Sequence, residues 1–155
     1  MGFDQTAISD LFNAVVSDAL QLGVFERVNQ HEPKVAPGNG VSASVWVQAI
    51  TPVARASGLN ATSGVVTLNM RVYSNFLSHP LDDIDPGIMT ATSTLLNAFT
   101  GGFTLGGTVR DIDLLGMYGQ SMNAVAGYIN QDNRIYRIMT ITLPVVINDL
   151  WTQEA

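Results

Sequence analysis

The chain of 155 residues is 46% hydrophobic and only 13% charged, with thirteen acids against seven bases, a formal net charge of −6 and no cysteine. Disulfides and thiolate metal sites are excluded, and a grip on nucleic acid through phosphate neutralisation is disfavoured. The length predicts one domain, residues 1–155, that buries about 68 to 70% of the surface its unfolded chain exposes.

The amino end, Met1-Gly-Phe-Asp-Gln5, has neither the basic nor the apolar region of a signal peptide, and no run approaches a membrane span. These features predict a soluble chain made and used inside a cell. Ile8, Leu11, Phe12, Val15, Val16, Ala19 and Leu22 then recur at helical spacing, with Asp10, Asn13, Ser17 and Gln21 on the opposite stripe. This predicts an amphipathic helix capped by Asp4 or Thr6, with acids in its early turns and Gly23 at its end. Phe25 to His31 reads as a short strand stopped by Pro33 and the turn-rich Pro37-Gly-Asn-Gly40.

Val41, Ala43, Val45, Val47 and Ala49 alternate with Ser42, Ser44, Trp46 and Gln48, predicting a second strand that ends at Pro52. Val66, Leu68, Met70 and Val72 alternate with Thr67, Asn69, Arg71 and Tyr73 in a third. Between them Ala54 to Gly64 is a long polar connection, so the two strands form a hairpin with an extended tip. A second helix is expected from Pro86, with Asp85 as its cap, through Ile88, Thr92, Leu95, Leu96 and Phe99 to Gly101-Gly102. Phe103 to Gly107 is a connector, and Val109 to Met117 is expected to be a strand.

The strongest signal comes last. Ile135, Met139, Ile141, Leu143, Val145 and Ile147 fall on one face of an extended run, with Tyr136, Thr140 and Thr142 opposite, and Arg137 alone breaks the apolar row. Pro144 cannot donate to a ladder, which predicts a sheet edge or a departure from the sheet at that point. Ala124 to Asn130 pairs with this run through a turn at Asp132-Asn133, and a flexible tail is expected from about residue 148. The order α-β-β-β-α-β-β-β predicts an α+β fold: an antiparallel-rich mixed sheet with two helices packed on one face.

The chemistry is sparse. His31 adjoins Glu32, and His79 lies near Asp82, Asp83 and Asp85, but acids before a helix serve capping and solvation before they serve a metal. Ser121 sits in Gly-Gln-Ser-Met-Asn, which is no nucleophile elbow. Gly101 to Gly107 follows a helix and lacks the lysine of a phosphate loop. The short matches at Met1 to Thr6 for myristoylation and Asn60-Ala-Thr62 for glycosylation carry little weight. No catalytic set, cofactor site or metal site is assigned, and no enzyme activity is expected. Trp46 and Tyr73 are expected on the second face of the sheet, where an aromatic, low-charge surface meets another subunit.

Three passages carry a family resemblance: Gly23-Val-Phe-Glu-Arg-Val-Asn29; Val72-Tyr-Ser-Asn75 with Asp85-Pro-Gly87; and Ala126-Gly-Tyr-Ile129 through Tyr136 to Asp149. In these and in element order the chain resembles the tail terminator, or tail-completion, proteins of bacteriophages with long, non-contractile tails, and looks closest to those from phages of actinobacteria. The resemblance implies a virion structural protein, assembled in the host cytoplasm. It would form a ring, usually of six copies, on the head-proximal end of the tail tube. Its implied partners are other copies of itself, the tail tube protein and the head-tail connector protein, while DNA passes through the ring without specific binding and no membrane is involved. Ring closure needs two different patches per subunit. The candidates are Arg55, Leu59 and Asn60 on the long connection, and Trp46 and Tyr73 on the outer sheet face. A head-side connector, or stopper, or another tail-ring protein is the nearest alternative, and a small metal-dependent hydrolase the distant one.

Overall fold

The computed structural model describes residues 2–22, 25, 27–29, 41–53, 61–75, 81–101, 109, 111–117, 119–131 and 133–152. Among the described residues two helices, α1 (Gln5–Gln21) and α2 (Leu81–Gly101), accompany seven strands: β1 (Gly2–Phe3), β2 (Arg27–Asn29), β3 (Val41–Val53), β4 (Ala61–Asn75), β5 (Asp111–Ile112), β6 (Asn123–Gln131) and β7 (Arg134–Thr152). All seven belong to one sheet, in which only β2 and β3 run parallel. This is the α+β, antiparallel-rich mixed sheet that the alternation predicts. The long strands β4 and β7 are its spine; β3 and then β2 extend it on one side, while β6, β5 and β1 share the far edge of β7.

Both helices lie on one face. Leu11, Val15 and Ala19 of α1 and Ile88, Ala91, Leu95 and Phe99 of α2 are buried in one core with Ala43, Val45, Leu68, Met70, Ile141 and Leu143 of the sheet. The α1 stripe is the predicted one, because a period of 3.6 places those side chains along a single line. Asp4 provides the cap: its carboxylate accepts the Ala7 N–H at 3.1 Å. The first turn itself carries no acid, Asp10 in the second turn being the earliest within the helix, and Gly23 lies outside the described residues. α2 begins at Leu81 rather than Pro86, so Asp85 is not its cap. A proline so near a helix start removes a single i→i−4 bond, and Asp82 and Asp83 fall in the first turn, where the macrodipole favours acids.

Several strand boundaries also depart from the sequence pattern. β3 continues through Pro52 to Val53, and β2 borders only Ser42 to Ser44, so the proline falls on a stretch whose second side needs no donor. The register slips between Val47 and Ala49, making Gln48 a bulge. Ala49, expected on the apolar row, therefore stands opposite Thr67, and Ile50 stands opposite Val66. The connection is shorter than Ala54 to Gly64, because β4 already begins at Ala61; residues 54–60 lie outside the described residues. The expected strand from Val109 to Met117 shrinks to Asp111–Ile112. Beyond it the chain turns, with the Asp113 carboxylate accepting the Met117 N–H at 2.8 Å. Gly116 has φ +78, and a Cβ there would meet the Gly119 carbonyl oxygen at 2.8 Å, so this turn requires glycine.

Pro144 lies inside the sheet, opposite Thr67. Its carbonyl accepts the Asp113 N–H at 2.8 Å, so its nitrogen also faces away from β4, into the gap on β7 between the stretch paired with β6, which ends at Thr142, and the stretch paired with β5, which begins at Val145. The lost donor thus falls where no strand asks for one. The expected tail from about residue 148 is instead strand through Thr152. Gly64 pairs with Ile147 but Thr62 with Trp151, so Ser63 faces three residues of β7. Asp149 takes φ 54 in this bulge and donates its N–H to Ser63 Oγ at 3.1 Å. That returns Leu150 to the core, fully buried, with its carbonyl accepting the Asp4 N–H at 2.8 Å.

Candidate interaction surface

The sheet face turned away from the helices follows from the pairing register. Across it run Ser42, Ser44 and Trp46 of β3, Thr67, Asn69, Arg71 and Tyr73 of β4, and Tyr136, Ile138, Thr140 and Thr142 of β7. Arg71 sits in the middle, with its guanidinium carbon 5.1 Å from the Trp46 ring centroid and 5.9 Å from that of Tyr73. A planar cation between two ring faces gains electrostatically and keeps its stem packed on the sheet. The sequence reading placed Trp46 and Tyr73 on this face, and the structure brings them together around one arginine.

Their exposure differs, and this corrects one assignment. Trp46 is half-buried, but Tyr73 is only 1% exposed and cannot offer its ring to a partner in this arrangement. It packs with Tyr136 and Ile138 in a second, smaller core, the two tyrosine rings meeting edge to face at 6.5 Å and 89°. The alternation of β7 had set Tyr136, Thr140 and Thr142 opposite the apolar row, and on that face Tyr136 and Ile138 are buried. Arg55, Leu59, Asn60, His31 and His79 lie outside the described residues, as do the side chains of Asp82, Asp83 and Asp85. Among the described residues no three His, Cys, Asp or Glu side chains gather as metal ligands, and no helix is long and apolar enough to cross a membrane.

Depressions of about 350 Å³ each on the surface include two lined by described residues. One, lined by Asn13, Val16, Ser17, Leu20 and Gln21, lies along α1; the other, lined by Gln48, Thr51, Val65, Thr67 and Gln120 among others, lies over the bulged part of β3. Among the described residues neither gathers a nucleophile with a base. Asp18, near the end of α1, has its carboxyl pushed above the ordinary value by burial.

Sequence reasoning missed several exposed apolar side chains. Val125 and Tyr128 of β6 are 63% and 60% exposed, Ile135 of β7 is 47% exposed, and Leu115 and Met117 project from the turn after β5. Arg137, the break in the apolar row, stacks on Tyr128 at 4.5 Å and donates from Nη1 to the Gly127 carbonyl at 3.2 Å. The available signal was the absence of any charge from Asn123 to Gln131 beside hydrophobic residues of both parities. A scan of protein-family models gives no match to the chain, and neither does a comparison with curated proteins.

Proposed function

We propose that the chain is a structural virion protein, a tail terminator whose copies close into a ring, usually of six, on the head-proximal end of a phage tail tube. The ring stops tube polymerisation and presents the surface to which the head connector joins. The observation that carries this reading is the similarity of the three passages noted above, together with the order of elements around them. The third passage fills most of β6 and β7, the hairpin whose second strand is the spine of the sheet. One feature of the surface supports a role in assembly: separate apolar side chains stand exposed on β6, β7 and the turn after β5, whereas on the outer sheet face Trp46, Asn69 and Arg71 are half-buried and Ser42, Ser44 and Tyr73 buried. A heterologous ring contact needs a second, unlike patch as well.

The test is a comparison of particles assembled with and without the chain. Its loss is expected to give tubes of uncontrolled length or tails that fail to join heads, visible by electron microscopy, and normal lengths with normal joining would refute the reading. A head-side connector is separated by the same images: its loss leaves tail length regular and filled heads bare.

A further inference from the structure

The first and last described segments of the chain meet at the end of β7. β1 pairs among the described residues with β7 alone, Gly2 opposite Thr152 and Phe3 opposite Trp151. On its other side the same end of β7 is held by Ala61 opposite Thr152 and Thr62 opposite Trp151. The unbroken ladder of β4 and β7 begins only at Gly64 opposite Ile147, and the bulge residues Asn148, Asp149 and Leu150 lie between. Asn148 and Asp149 are exposed, whereas Leu150 is fully buried.

Asp149 holds a left-handed φ of 54, which costs free energy in a residue with a side chain and persists where the surroundings support it. Ser63 supplies that support, its hydroxyl accepting the Asp149 N–H at 3.1 Å on a fully buried residue. One residue further on, the Leu150 carbonyl accepts the Asp4 N–H at 2.8 Å, and the Asp4 carboxylate in turn caps α1 through the Ala7 N–H. A single run of contacts thus leads from Ser63, through the bulge and Leu150, to the start of the first helix.

We propose that Gly2–Asp4 and Asn148–Thr152 form one latch, which opens as a unit about the bulge while the rest of the sheet stays folded. Chain ends ordinarily fray independently. Here the ladder joins them: when Leu150 to Thr152 lift, β1 loses its paired strand and the Asp4 N–H its acceptor. The ladder also confines the opening, because peeling that starts at Thr152 reaches a break already present at the bulge before it reaches the run of pairs from Ile147 to Tyr136. Leaving the core with Leu150 sets the cost, which keeps the latch shut most of the time. Its release also frees the residue that caps α1, so an event at the end of the last strand loosens the start of the first helix. The latch stands or falls independently of the tail-terminator reading.

Native-state hydrogen exchange of the full chain, read at single amides by NMR, tests this. The probes are Asp4, on the β1 side, and Trp151, whose N–H faces β4 because the Leu150 carbonyl faces β1. Both are expected to exchange with one common opening equilibrium, at least about tenfold more populated than that of Leu68 and Met70 in β4, which has a strand on each side. Ser63→Ala removes the support of the bulge and is expected to speed exchange at Asp4 and Trp151 by the same factor, about fivefold. Asp149→Gly keeps the donor and removes the side chain at the left-handed position, and is expected to slow both by about threefold. Asp4 lies far from either change in sequence, so separate fraying of the amino end leaves its rate unmoved. Protection at Asp4 equal to that at Met70 would mean that no latch opens short of global unfolding. An Asp4 rate that neither variant alters would mean that the two ends open separately, and either result overturns the proposal.

Discussion

Arg71 and Arg137 show what this chain does with its few charges: each lies over an aromatic ring, Arg71 over Trp46 and Arg137 over Tyr128. A guanidinium can do this because it is planar and weakly hydrated, whereas a carboxylate at a partly covered site loses solvation without a comparable return. Asp18 is such a carboxylate, with its pKa raised above 3.8 by burial. It also lies in the last turn of α1, where the macrodipole disfavours an acid and no base answers it. A raised folded-state value means that the folded chain holds the proton more tightly than the unfolded one. The ionised group therefore destabilises fully above that value, and the cost disappears as pH falls to the ordinary carboxylate range. Asp18→Asn is expected to raise the melting temperature at pH 7 by no more than about 2 °C, since the site is largely solvated. The difference from wild type should vanish near pH 3. A gain at pH 3 as large as at pH 7 would show that ionisation is not its cause.

At the scale of elements, what the sequence made legible follows from how regular each period is. The stripe from Ile8 to Leu22 and the alternation from Met139 to Ile147 persist long enough to be read, and both give the elements seen. Bulges defeated the rest. Gln48 inverts the parity of β3, and the three residues opposite Ser63 put Ile147 and Leu150 on the same face at a spacing no strand period predicts. A tail was expected because Asn148 to Ala155 contains little in its pattern that would order it, and the burial of Tyr73 was not foreseen because alternation reports a face without reporting what covers it. The bulge makes Leu150 an anchor: it is fully buried and its carbonyl holds the start of α1 through Asp4. Leu150→Ala is expected to cost about 2 to 5 kcal/mol in chemical denaturation, as for other buried leucines. A loss within about 0.5 kcal/mol would mean that the last turn of β7 contributes little to the fold.

At the scale of the whole molecule the dominant physical property is charge, thirteen acids against seven bases. Non-specific affinity for duplex DNA comes from cations that displace condensed counterions, each phosphate contact steepening the fall of binding with salt. The arginines whose side chains are described, Arg71 and Arg137, are stacked on rings, and the −6 net charge opposes the approach of a polyanion at distances up to the Debye length. Under the proposed function, a ring surrounding a passing duplex would also gain nothing from holding it, since bound phosphates would slow transit. Fluorescence anisotropy with a short duplex is therefore expected to show no saturable binding at physiological salt. Lowering the salt to about 50 mM should not produce it either, because weaker screening strengthens the repulsion here as it would strengthen attraction in a basic protein. Micromolar binding that weakens steeply between about 50 and 200 mM salt would show a cationic patch hidden from the net charge, and would turn the functional reading toward nucleic-acid recognition.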